Sequence, residues 1–155
     1  MAENMFDKLL AYSRKGEIEK FQSCNQFTSK FGLSLSEEDG LILLDSRKYS
    51  LKEQERIEFG EGVIVKLIYA FCDSPYIHQD NYVDTINELQ DIFYLYKNEA
   101  LDEVTDDELI AFMKEHFNTD CQGSLDFLAE TVLDAFAREI RNGTRKFIGL
   151  YEEKE

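Results

Sequence analysis

The sequence predicts an all-α protein, a compact bundle of about six to seven helices in one domain, and three observations predict it. One proline in 155 residues leaves few forced breaks. Apolar residues, 43% of the chain with twelve Phe and eight Tyr, recur at spacings of three and four along most of its length. Ser, Thr and acidic residues stand ahead of those runs and Gly behind them, where helix ends need them.

The elements follow in order. A first short helix is expected near 3–14, with Phe6, Leu9 and Leu10 as its apolar face and Gly16 as its break. Next, Ile18, Phe21, Cys24, Phe27, Thr28 and Phe31 share one stripe, and Gly32 suits the left-handed residue that ends a helix. Ser36 is the N-cap of a third helix, with Glu37, Glu38 and Asp39 in its first turn and Leu41, Leu44 and Leu51 facing inward. Ser50 with Glu53 resembles a second capping box, which predicts a break there.

"EFGEG" (58–62) reads as a turn: the Lys and Gly pattern of a phosphate cradle is missing, and its glutamates repel phosphate. "VIVKLIYAFC" (63–72) has the β-branched start of a buried strand, but its helical neighbours favour a buried helix. Ser74 and Pro75 are expected to open a helix running to about Lys97, with Pro at its first position. Tyr82, Ile86, Leu89, Phe93 and Tyr96 form its apolar seam, opposite a wet stripe of Asp80, Asp84 and Glu88. Thr105 and Glu108 form a capping box ahead of Leu109, Phe112, Met113 and Phe117. Ser124 caps a last helix carrying Leu125, Leu128, Val132, Phe136 and Ile140, with Asp134 paired to Arg138 and Gly143 closing it.

This divides the chain into an N-terminal helical segment (1–16), a helical domain (17–143) and a C-terminal tail (144–155). The tail, "TRKFIGLYEEKE", carries Phe147, Ile148, Leu150 and Tyr151, so part of it has reason to pack back on the domain.

The formal charge of −15 repels phosphate backbones and anionic bilayers, which argues against nucleic acid and membrane partners. A protein partner or self-association fits better. No secretory signal is evident at "MAENMFDKLL", and the longest apolar stretch is too short to span a bilayer, so a cytoplasmic location is expected. Cys24, Cys72 and Cys121 are odd in number and widely spaced, which suggests neither a disulfide framework nor a zinc site; no cofactor is expected.

Four possibilities for chemistry can be weighed. A calcium loop over Asp73–Asp84 fails, because Pro75, Ile77 and His78 stand where oxygen ligands and a Gly are needed. His78 with Asp80 and Asp84 holds a metal only with help from elsewhere. Residues 118–130 come nearer: Asn118, Asp120, Gln122 and Asp126 fall at ligand positions and Gly123 at the sharp turn, but the chelating twelfth position is Ala129. The plain reading is an interhelix turn, with a degenerate EF-hand-like ligand site as the alternative. Last, Cys121 precedes a helix start and His116 is close, but the adjacent Asp120 opposes a thiolate. No catalytic residue is assigned, and an enzyme is not expected.

The strings "EFGEG", "AFCDSPYIHQDNY", "ELQDIFYLYKNE", "DDELIAFM" and "CQGSLDFLAE", in this order, resemble an uncharacterised family of small acidic proteins from clostridia-type Gram-positive bacteria. The similar region spans Phe31 to Arg141. The resemblance implies a bacterial intracellular protein and carries over no functional residue.

The expected function is that of a non-catalytic helical interaction module, an adaptor or small regulator. One stretch bears on its surface. In "DIFYLYK" (91–97) the helix is apolar all round, and Leu95 falls on the stripe begun by Asp84 and Glu88. Either that end is buried within the monomer, or Tyr94 and Leu95 form part of an interface.

Overall fold

The structure, a computed structural model, describes residues 5–60 and 62–143; the side chains of Phe6, Asp7, Leu10 and Ala11 lie outside the described set. Every regular element among the described residues is helical. They are α1 (Met5–Ser23), α2 (Asn25–Thr28) with a 3₁₀ turn at Ser29–Phe31, α3 (Glu37–Glu53), α4 (Gly62–Phe71), a 3₁₀ turn at Gln79–Asn81, α5 (Tyr82–Glu99), α6 (Asp106–Asn118), α7 (Leu125–Phe127), a π-helical segment (Leu128–Leu133) and α8 (Asp134–Arg141). Helix α5 is the central post, packing against α3, α4, α6 and α8. Its seam of Tyr82, Ile86, Leu89, Phe93 and Tyr96 is buried, as the periodicity requires.

The ends close as the local chemistry dictates. Ser36 Oγ accepts from the Asp39 amide at 3.0 Å while Asp39 returns a bond to the Ser36 amide, and Thr105 with Glu108 repeats the box on α6. Ser124 accepts from the Phe127 amide at 3.1 Å. Gly32 takes φ +80°, and the Leu33 amide reaches back to the Thr28 carbonyl, satisfying a helix-end acceptor. Residues 63–71 are helical and mostly core, which settles the strand alternative.

Several expectations need correction. Helix α1 runs through Gly16, which does not break it. A mid-helix Gly costs only about 1 kcal/mol against Ala. Contacts to α3 on both sides of it, Arg14–Asp45 and Glu17–Arg47, hold the helix straight through. Leu9, read as inward, is exposed, and Phe6 and Leu10 fall outside the described side chains. Phe27 and Phe31 also lie outward, because Phe21, Cys24 and Thr28 already fill that stripe's core side.

Helix α3 does not break at Ser50. Ser50 is buried, and its hydroxyl donates to Asp91 of α5 at 2.5 Å instead of capping a helix. The inward stripe of α3 is Gly40, Leu43, Leu44, Arg47 and Ser50, so Leu41 lies outside it. Gly40 lets α1 approach, since a Cβ there would stand 2.8 Å from Ile18 Cγ2.

Helix α5 starts at Tyr82, not at Pro75. Burial of Ile77 and an edge-on contact of Tyr76 with Phe117 draw residues 75–78 inward as irregular chain. Ser74 donates to Asn118 Oδ1 at 2.6 Å, and the Asn81 carboxamide takes the His78 amide at 2.7 Å to open the 3₁₀ turn.

The last helix contains a π-helical segment. It adds a residue to the local repeat, so Leu133 rather than Val132 becomes fully buried. Tyr96 Oη donates to the Ala129 carbonyl inside that segment at 2.6 Å.

Candidate functional site

Helices α4 and α6 lie side by side but do not close against each other along their outer edges. Asp107, Ile110, Ala111 and Lys114 sit at successive turns of α6, and Val65, Lys66, Tyr69 and Ala70 face them from α4. Between them runs an apolar cleft of about 430 Å³. The spacing explains it: α4 gives its bulkiest side chains, Ile64, Leu67, Ile68 and Phe71, to the core, and the outer edge keeps small or half-buried residues.

The cleft continues into an aromatic cluster. Phe27, Phe31 and Tyr69 are 40%, 42% and 45% exposed. Phe27 packs on Tyr69 with ring centroids 5.5 Å apart and edge-on to Phe31 at 5.8 Å. The Lys30 ammonium lies 4.1 Å from the Phe27 centroid, a cation–π contact.

Charges sit at both ends. At the α6 N-terminus Lys66 Nζ pairs with Asp107 at 2.9 Å, and Asp106 pairs with the buried Lys97 at 2.8 Å. At the other end Lys114 faces Asp73 at 3.4 Å. Lys30 reaches this region through the Phe27 ring that packs on Tyr69. Burial, then Asp73, pushes the Cys72 thiol above its ordinary value.

A second cleft, about 440 Å³, lies between α3 and α5 and is polar. Asp84, Asn87, Glu88 and Asp91 line it from α5; Ser46, Tyr49 and Ser50 from α3. Burial, then Asp126, Asp91 and Asp84, raises the Glu88 carboxyl above the ordinary Glu value. The Ser50–Asp91 bond already closes part of this face on itself.

The residues singled out from sequence are placed as follows. Asn118 takes the Ser74 hydroxyl. Asp120 binds the Thr119 hydroxyl and His116 Nδ1, the latter at 3.0 Å. Gln122 and Gly123 both have positive φ, and Gly123 lies so close over Tyr76 that a Cβ would meet its ring at 2.7 Å. Asp126 is exposed. Among the described residues, no three His, Cys, Asp or Glu side chains gather as a metal site requires. Cys121 is buried, and burial together with Asp120 pushes its thiol up, away from a reactive thiolate.

Of the two alternatives for the end of α5, burial within the monomer holds for Tyr94, which is only 1% exposed, and Leu95 is half-buried against the core. The Tyr94 hydroxyl donates to Glu58 Oε1 at 2.5 Å. Glu58 also accepts from Arg47 Nε at 2.8 Å and, through Oε2, from the Val63 amide at the start of α4. Sequence reasoning missed this network, as it missed the groove. With Glu58 held inward, Ile57 and Phe59 on either side of it are left almost fully exposed.

No helix among the described residues is long and apolar enough to cross a membrane. No curated protein and no solved structure matches the chain. A family model does, over residues 20–146, and it is described as a family of unknown function, DUF6323. That match takes in the whole described core from the end of α1 to α8 and extends past the region whose motifs carried the resemblance, so the chain belongs to the DUF6323 family.

Proposed function

We propose that this protein is a non-catalytic protein-interaction module whose docking surface is the α4–α6 groove. The observation that carries the reading is the continuity of that groove with exposed Phe27, Phe31 and Tyr69. Exposed aromatics beside an apolar groove are the surface type that takes the apolar face of a peptide.

The ends of the groove specify the occupant. At the α6 N-terminal end Lys66 is neutralised by Asp107 and Lys97 by Asp106, so that end carries no excess charge. The far end has Lys30 and Lys114 against Asp73, one positive charge in excess. The occupant is a short peptide segment with an apolar face and an acidic residue at the Lys30–Lys114 end.

A displayed random-peptide library selected on the full chain tests this, with counter-selection on Ala111→Glu. Ala111 is exposed in the groove, so its substitution leaves the fold intact. The expected result is enrichment of apolar peptides carrying an acidic residue at one end, which the variant does not retain. Peptides retained equally by both proteins overturn the reading.

A further inference from the structure

We infer that the α4–α6 groove takes the 54–60 connection of a second copy of this chain, with Ile57 and Phe59 as apolar anchors and Glu55 as the acidic end. The inference rests on the groove being a peptide-docking surface, and it names the peptide.

Side chains alternate along this connection. Arg56 and Glu58 turn inward, Arg56 to Asp102 at 2.8 Å and Glu58 to Arg47 at 2.8 Å. Glu55, Ile57 and Phe59 turn outward. Ile57 is 83% exposed and Phe59 86%, the highest values among the large apolar side chains described. Neither therefore lies in the groove of its own molecule, and an apolar recipient for them must come from another. The two inward ion pairs hold the outward face in place beforehand, so little order remains to be lost on binding.

That face has the chemistry the groove requires. Lys30 and Lys114 exceed Asp73 by one positive charge at one end, and the α6 N-terminal end is neutral. With Glu55 set against the lysines, Ile57 and Phe59 lie along the apolar floor toward the neutral end. From Glu55 to Phe59 the chain spans at most about 13 Å, and the two apolar residues stand about 7 Å apart. The groove runs about 10 Å along α6 from Asp107 to Lys114, with Lys30 beyond on the Phe27 ring. The contact joins unlike surfaces, so each copy carries one donor and one acceptor and copies associate head to tail.

Sedimentation velocity of the full chain tests this in about 0.15 M salt, where a screening length of about 8 Å limits repulsion between copies. The wild-type protein is expected to self-associate as its concentration rises through the micromolar range. Ile57→Ser with Phe59→Ser removes the donor, and Ala111→Glu blocks the acceptor. Each variant alone should sediment as a monomer with unaltered far-UV circular dichroism. Their mixture keeps one intact donor and one intact acceptor, and should pair where either alone is monomeric; a general loosening of the fold gives no such rescue. Glu55→Lys should weaken association severalfold, and Lys114→Glu in the same chain should restore it. A wild-type protein that stays monomeric, an assembly indifferent to either variant, or a mixture no heavier than its components overturns the inference. If the wild type is monomeric while selected peptides still require Ala111, the inference falls and the groove reading stands with a different partner.

Discussion

Arg47 and Glu58 meet at 2.8 Å beneath the start of α4, and the same carboxylate takes the Tyr94 hydroxyl and the Val63 amide. One acidic side chain from the connection between α3 and α4 thereby ties α3, α4 and α5 together, and Arg47 extends the tie to Glu17 of α1 at 3.1 Å. It fixes the position of α4, and α4 forms one wall of the groove.

Removing one partner of such a buried pair strands the other, so Glu58→Ala should cost about 3 kcal/mol. Tyr94→Phe, which removes a single bond, should cost about 1–2 kcal/mol. Urea denaturation of the two variants checks both values. A loss under 1 kcal/mol for Glu58→Ala would show that the network does not hold the fold.

Three glycines separate backbone from packing effects. Gly16 lies within α1 with open space around it, so Gly16→Ala should stabilise by up to about 1 kcal/mol. Gly60 has φ +67° and open space, so Gly60→Ala should cost about 1 kcal/mol for conformation alone. Gly62 has φ +64°, and a Cβ there would fall 2.0 Å from Glu58 Oε1, so Gly62→Ala should cost clearly more. Thermal melts that rank Gly62→Ala no lower than Gly60→Ala would contradict the packing around Glu58.

The acidic cleft gives a pH dependence. Because the folded Glu88 carboxyl holds its proton more firmly than an ordinary Glu, the folded state takes up that proton first as pH falls. Its contribution to stability therefore rises from neutral pH and is complete below the ordinary value of 4.5. Asp102 runs the other way. Its hydrogen bond from Arg56 lowers the carboxyl, so its stabilisation is present above the ordinary 3.8 and lost as pH falls through the lower folded value. Glu88→Gln should raise the melting temperature at neutral pH and remove the first, stabilising part of the profile.

Ile57 and Phe59 lie apart from the groove lining, so replacing both with Ser should change stability by no more than about 0.5 kcal/mol. Binding of groove-selected peptides should be unchanged as well. A loss of peptide binding in that variant, measured by anisotropy, would move the docking surface to the 54–60 connection.

What was legible in the sequence is what neighbouring residues decide. Ser36, Thr105, Ser124 and Gly32 act within a few positions of themselves, and each does what its type implies. The α5 seam follows from period alone. The misreadings arose where distant residues intervene. Ser50 looks like a cap until Asp91, 41 positions on, takes its hydroxyl. Pro75 looks like a helix start until Ile77 and Tyr76 are drawn into the core. Period shows which face of α4 is apolar, but Val65, Tyr69 and Ala70 stay half-covered only because of where α6 comes to rest. The Glu58 network has no local signature, since its partners come from three separate helices.

The most direct measurement of groove docking uses the full chain and its Ala111→Glu variant. Each is titrated with a fluorescein-labelled peptide taken from the library selection, followed by anisotropy. Saturable binding is expected, weakened about tenfold or more when Ala111→Glu is added. Equal binding with and without Ala111→Glu, or no binding to either protein, would contradict the assignment of the α4–α6 groove as a docking surface.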